Sequence, residues 1–130
     1  MRRTLTLALL LTLAASSCAW IARASVDSNG AEANSASGFR GLAANGLSAG
    51  GDVVTFTSFA SNLVPGDTNG LSDVFRRDNR TGDVTRITDT DPSTNGGPEW
   101  PSTSTDGRYV TYSTFDLDAG AGFAVGDVFR

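Results

Sequence analysis

Asn62-Leu63-Val64-Pro65-Gly66-Asp67-Thr68-Asn69-Gly70-Leu71-Ser72-Asp73-Val74-Phe75-Arg76-Arg77-Asp78 is the stretch that decides the fold. Its first half is dense in turn formers. Gly permits positive φ, Pro presets its own φ, and Asp and Asn side chains accept hydrogen bonds from nearby amides. Its second half opens on Asp73-Val74-Phe75-Arg76, which returns as Asp127-Val128-Phe129-Arg130, 54 positions later.

Outward from this stretch the same spacing repeats. Gly50-Gly51 precedes Asp52-Val53-Val54-Thr55-Phe56-Thr57-Ser58, and Asp106-Gly107 precedes Arg108-Tyr109-Val110-Thr111-Tyr112-Ser113-Thr114. Each couples a tight-turn dipeptide to a run of β-branched and aromatic residues. Residues 44–49 and 100–105 lead into those turns and are expected as weakly hydrophobic hairpin strands. Asn79-Arg80-Thr81-Gly82 turns into Asp83-Val84-Thr85-Arg86-Ile87-Thr88, an alternating half-buried strand. One unit therefore reads weak strand, turn, strong strand, long polar loop, Asp-Val-Phe strand, turn, outer strand.

Four antiparallel strands recurring at this period make a β-propeller blade. The expected fold class is all-β, as an incomplete propeller over residues 44–130. Blade 1 spans about 44–88, and blade 2 about 100–130 without its outer strand. Val54 and Phe56, like Val110 and Tyr112, share one sheet face, with Val53, Thr55, Tyr109 and Thr111 on the other. Apolar groups on both faces suit a sheet held between neighbours. Such units need about three or more for stability. A fragment, or a chain that assembles with others, is therefore expected.

Composition agrees. The chain has 130 residues, 39% of them hydrophobic, with mean hydropathy −0.12, which suffices for one packed domain. Fifteen glycines and few Glu, Gln and Met favour turns and short strands over long helices. The formal charge is −4, and without residues 1–24 seven arginines face fourteen acids, leaving −7. Such a surface repels phosphate backbones, so no nucleic-acid partner is expected.

Met1-Arg2-Arg3 is basic, residues 4–15 are apolar, and Ala14-Ala15-Ser16-Ser17-Cys18-Ala19 is rich in small residues, the layout of a signal peptide. Residues 1–24 are read as that leader, with Ala22-Arg23-Ala24 as the cleavage site. The apolar run is shorter than the roughly 20 residues that span a bilayer, so no transmembrane segment is expected in the mature chain. Alternatively, Ala15-Ser16-Ser17-Cys18 resembles a bacterial lipobox, with Ala15 where Leu is usual, and Cys18 would carry a lipid anchor. Either reading exports the chain to a periplasmic, extracellular or envelope location. Residues 25–43 read as a polar loop or linker, entered by a short strand over 21–26.

Pro101-Ser102-Thr103-Ser104-Thr105-Asp106-Gly107-Arg108-Tyr109-Val110 resembles the strand-turn-strand core of TolB-like, PD40-type (WD40-like) β-propeller repeats of exported bacterial proteins. Residues 61–70, followed by Asp73-Val74-Phe75, resemble a characteristic loop and third strand of one subfamily. The resemblance covers roughly residues 44–130. Gly50 stands where the family usually has Asp, and residues 118–126 replace the Asp-Thr-Asn-Gly loop. The resemblance implies a non-catalytic scaffold or protein-interaction module, with protein partners or further blades. Its alternative is the propeller portion of a larger exported hydrolase of the prolyl-oligopeptidase kind.

For chemistry, Asp67, Asn69 and Asp73 offer hard oxygen ligands suited to calcium, the one alternative to the expectation of no cofactor. The plainer reading of the same letters is a turn held by its own side chains. Asp89, Asp91, Asp116 and Asp118 are loop acids whose spacing fixes no separation, so they read as solvated rather than as a glycosidase pair. Trp100, Tyr109 and Tyr112 are expected in the core rather than on a sugar-stacking surface. The chain has no His, which removes the usual base for a Ser or Cys nucleophile. No catalytic residues are expected.

Overall fold

The computed structural model describes residues 21–38, 45–88, 97–116 and 125–129. Residues 1–20 of the leader, with Cys18, and Asp89, Asp91 and Asp118 lie outside them. Among the described residues there are six strands and no helix, so the chain is all-β. The strands are β1 (Val53–Ser58), β2 (Asp73–Asp78), β3 (Val84–Arg86), β4 (Pro98–Thr103), β5 (Val110–Asp116) and β6 (Val125–Phe129). They form two antiparallel meanders, β1-β2-β3 and β4-β5-β6.

The two sheets repeat one register. In the first, Phe56 pairs with Phe75, Thr57 with Val74 and Ser58 with Asp73. In the second, Tyr112 pairs with Phe129, Ser113 with Val128 and Thr114 with Asp127. The turns repeat as closely. The Gly51 amide donates to the Ser48 carbonyl at 2.9 Å, and the Gly107 amide to the Ser104 carbonyl at 2.8 Å. Ser48 Oγ accepts from the Val53 amide and Ser104 Oγ from the Tyr109 amide, both at 3.0 Å. Gly51 and Gly107 have φ of +74° and +72°, the left-handed region that Gly enters without a Cβ penalty. Both sheets thus use the same Ser-x-x-Gly hairpin.

The weak first strand expected over residues 44–49 is described from Asn45 onward and holds the single bridge Leu47↔Val54 there. Among the described residues, Ser37↔Ser58 and Leu47↔Val54 bridge along the outer edge of β1, in the places that Pro98↔Thr114 and Thr103↔Val110 take along β5. In the second unit the ladder shifts between Glu99 and Ser102. Trp100 there has φ +48°, a strained setting for a residue before proline. The short strand expected over 21–26 is reduced to one bridge, Val26↔Glu32.

Both faces of the first sheet are buried. On one, Phe56 and Phe75 stack with centroids 5.9 Å apart and pack with Ala60 and Leu63, while Ala33, Val64 and Val84 close the edge. Burying each of the larger side chains is worth about 1.5–3 kcal/mol. On the other face, Val53, Thr55 and Val74 are buried, with β4 packed across β1 and β2. The residue 45–49 segment ties the sheets together: the Ala49 amide donates to the Thr105 carbonyl, and the Thr103 amide to the Asn45 carbonyl.

In the second sheet, the described side chains are buried on the Val110 face. Pro98, Thr103 and Val110 are buried, whereas Tyr109 and Thr111 on the opposite face are exposed. Tyr109 at 48% and Trp100 at 46% exposure correct the expectation that these aromatics are core. Their strand spacing is as expected, but nearly half of each ring residue's surface remains accessible.

Residues 25–38, the described part of the polar loop or linker expected over 25–43, pack on the Phe56 face of the first sheet. Arg77 Nη1 donates to the Val26 and Asp27 carbonyls at 3.2 and 3.4 Å. Ser28 Oγ accepts from the Val84 amide at 3.0 Å. Asn34 and Asn62 cross-link the segment to the long loop: Asn62 Oδ1 accepts from the Asn34 amide, and Asn62 Nδ2 donates to the Glu32 carbonyl. Composition pointed to a loop because Ser, Asn and Ala carry little hydrophobic signal. These side chains serve as hydrogen-bond partners against a sheet face.

Candidate functional site: an arginine-held acidic loop

The long loop between β1 and β2 folds back so that Asp67, Asn69 and Asp73 converge. Gly66 and Gly70, at φ +81° and +69°, let the chain reverse twice. Asn69 Oδ1 accepts from the Leu71 amide at 3.0 Å, while Asn69 Nδ2 donates to Asp73 Oδ2 at 3.0 Å. From β3, Arg86 Nη1 lies 3.2 Å from Asp67 Oδ1 and 3.7 Å from Asp73 Oδ2. Thr88 Oγ1 donates to Asp73 Oδ1 at 2.7 Å and accepts from the Val74 amide at 2.9 Å. Asp73 is fully buried and Asp67 nearly so.

The three residues named from sequence are therefore together, with Arg86 and Thr88 added to them. Sequence reasoning missed those two, which lie on β3 and just after it, 13 and 15 positions beyond Asp73. The only signal was that Phe75 and Arg86 fall opposite each other once β2 and β3 pair.

As a calcium site the set fits poorly. Calcium takes six to eight oxygen ligands, yet Asn69 turns its nitrogen toward Asp73, and a guanidinium stands between the two carboxylates. As a turn lock it fits well, because every group named has a local partner. Among the described residues, no group of three or more His, Cys, Asp or Glu is placed to hold a metal ion. The melting temperature is expected to be the same in calcium and in chelator; a rise with calcium that Asp67→Ala abolishes would restore the ion reading.

Titration distinguishes this loop from the surface turns. Burial, then the Asp73 charge, pushes the Asp67 carboxyl above its ordinary 3.8, with Arg86 acting in the opposite direction. Amide hydrogen bonds, chiefly from Ala31 and Arg80 respectively, hold Asp27 and Asp78 below 3.8. The Ser104 hydroxyl does so first for Asp106. A raised carboxyl disfavours the fold while ionised, so stability gained through Asp67 appears as pH falls toward 3.8. A lowered one stabilises above 3.8, and that contribution is lost as pH falls through its folded value. Asp67→Asn is therefore expected to remove the gain just above 3.8 and leave the loss below it, as read from urea midpoints across a pH series. An unchanged profile above 3.8 would contradict this assignment.

Gly46-Leu47-Ser48-Ala49-Gly50 spells Gly-x-Ser-x-Gly, a pattern that the expectation of no catalytic residues passed over. The fold gives it another use. A nucleophile elbow exposes Ser at a strand-to-helix turn. Ser48 is 5% exposed in a β-hairpin, and its Oγ accepts from the Val53 amide, as Ser104 does without such a motif.

Compared with protein-family models, with curated proteins and with solved structures, the chain shows no match. Among the described residues no helix is long and apolar enough to cross a membrane.

Proposed function

We propose that the chain is an exported, non-catalytic segment of a TolB-like, PD40-type β-propeller that serves as a scaffold or protein-interaction module. The observation that carries this reading is the shared register of the two sheets, Phe56↔Phe75 against Tyr112↔Phe129, together with the shared Ser-x-x-Gly turn. Two chance sheets have no reason to agree in both. Antiparallel four-position units packed face on face are what a propeller requires. The acidic loop adds rigidity to the first unit, because it joins the β1–β2 connection to β3.

Export rests on the leader pattern of residues 1–24. Fractionation of cells expressing a C-terminally tagged chain tests it: the tag is expected outside the cytoplasm, and retention of full-length protein in the cytosol would end the export reading. Incorporation of labelled palmitate that is lost in Cys18→Ser would select the lipid anchor over the soluble form. The hydrolase alternative is tested by the coding sequence that follows Arg130. Further units of the same period favour the module, and a nucleophile elbow followed by a His favours the enzyme.

A further inference from the structure

Along the described residues the first buried side chain is that of Val26, the second residue past the bond at which the leader is read to be cut. Residues 24–34 form a small hairpin around it. The Val26 amide donates to the Ala24 carbonyl at 2.9 Å, the Ala33 amide to the Ser25 carbonyl at 3.1 Å, and the Asp27 amide to the Ala31 carbonyl at 2.8 Å. Asp27 Oδ1 closes the tip by accepting from the Asn29 and Ala31 amides at 2.9 and 2.7 Å. The first sheet and its long loop then fix the hairpin in place. Arg77 Nη1 donates to the Val26 and Asp27 carbonyls, Asn62 Nδ2 donates to the Glu32 carbonyl, and the Val84 amide donates to Ser28 Oγ.

We propose that this hairpin governs processing: once it docks on the first sheet, the Ala24–Ser25 bond is closed to a leader peptidase, so the leader is removed only from chains in which residues 24–34 are still extended. The proposal rests on reading residues 1–24 as a leader cut after Ala24. Peptidases of that class read small side chains at the first and third positions before the bond, here Ala24 and Ala22. In the cut, water adds to the Ala24 carbonyl and the Ser25 amine leaves. An extended peptide is gripped through its main-chain groups, as an added strand.

Docking occupies those same groups. The Ala24 carbonyl, where water attacks, is closed into a three-residue turn by the Val26 amide. The Ser25 carbonyl is taken by Ala33, and the Val26 and Asp27 carbonyls by Arg77. The Val26 side chain is 9% exposed. Drawing residues 24–27 out into a strand therefore forfeits the burial of Val26 and the Arg77 contacts together. Each of these groups is engaged by a named partner, so additional cover from elsewhere only strengthens the closure.

The closure is local. Several of its hydrogen bonds are exposed, such as those of Asn34 with Asn62 and Ser61, and segments held in this way open without global unfolding. Where opening is fast relative to cleavage, cutting follows the open population. The hairpin thus imposes an order in which cleavage after Ala24 precedes docking. A chain that docks first keeps its leader unless it is cut upstream. Cys18 lies six positions ahead of Ala24, so a cut before Cys18 removes no residue of the hairpin and is compatible with the docked state.

The test uses the full-length chain with its leader and a purified bacterial leader peptidase in mild detergent, with the new N-terminus read by intact mass. Chain diluted from urea straight into the peptidase is expected to be cut after Ala24, and chain refolded beforehand to be cut at least about tenfold more slowly. Arg77→Ala and Val26→Ala loosen the hairpin through separate contacts. Each is expected to restore rapid cutting of the refolded chain while the far-ultraviolet circular dichroism of the sheets persists. Hydrogen exchange at the Asp27 and Ala33 amides reads the hairpin without the peptidase and is expected to quicken in step with cutting. Refolded wild type cut after Ala24 as fast as the urea-diluted chain, or faster exchange in both variants with no faster cutting, would overturn the proposal. Failure of the leader reading shows separately: the urea-diluted chain is then not cut after Ala24 at all, and the proposal falls with it.

Discussion

Replacing Asp73 by Ala is expected to destabilise the chain by about 3 kcal/mol, seen as a large fall in the urea midpoint. Asp73 is fully buried and accepts from Thr88 Oγ1 and Asn69 Nδ2, with Arg86 Nη1 at 3.7 Å. Deleting one member of a buried charge pair costs about 3–5 kcal/mol, because the survivor is left desolvated. The Arg86 side chain is 19% exposed, so it regains some water, which places the loss at the lower end. Against a typical total of about 5–15 kcal/mol, that is a large share. Asp73→Asn removes the same charge but keeps the shape and an acceptor for Thr88 Oγ1, so it should recover only the part of the loss that packing and that hydrogen bond account for, about 1 kcal/mol. Equal losses for Ala and Asn would mean that the charge, and not the hydrogen-bond geometry, dominates.

The turn glycines provide the second large effect and an internal control. Gly107→Ala combines a left-handed backbone, φ +72°, with a Cβ 2.7 Å from Val53 Cγ2 and 3.1 Å from Val53 Cβ. The backbone costs about 1–2 kcal/mol, and overpacking adds about 1–3 kcal/mol. Gly51→Ala has the same backbone, φ +74°, but open space around its Cβ. It should therefore lose only the first part. Combining Gly107→Ala with Val53→Ala makes room and should recover most of the steric loss, giving a coupling of at least about 1 kcal/mol in a double-mutant cycle. Purely additive losses would show that the second sheet does not rest on Val53.

Much of the fold was legible in the sequence because the signals are local. Strand alternation at Val53-Val54-Thr55-Phe56, the Gly-terminated hairpins and the repeated Asp-Val-Phe string act over a few residues, and each corresponds to an observed strand or turn. The loop residues Asp67, Asn69 and Asp73 were identifiable for the same reason, since Asn69 bonds Leu71 and Asp73 within its own turn. The weak strand leading into Gly50-Gly51 was placed correctly only over its last residues. Ser37 and Gly38 pair with the far end of the same β1 edge, a contact that no local pattern encodes.

By itself, then, the sequence determined the all-β class, the strand positions, the hairpin chemistry and the convergence of the acidic loop. These follow from backbone preferences and side chains that act on near neighbours. Only the tertiary structure decided that Arg86 and Thr88 hold that loop, that Ser48 lies in a hairpin and not an elbow, that residues 24–38 cover a sheet face, and that Tyr109 faces outward. Each of these depends on which surface lies opposite. Periodicity states that a face is apolar, whereas what covers it is set by strand pairing and packing between segments far apart in the chain.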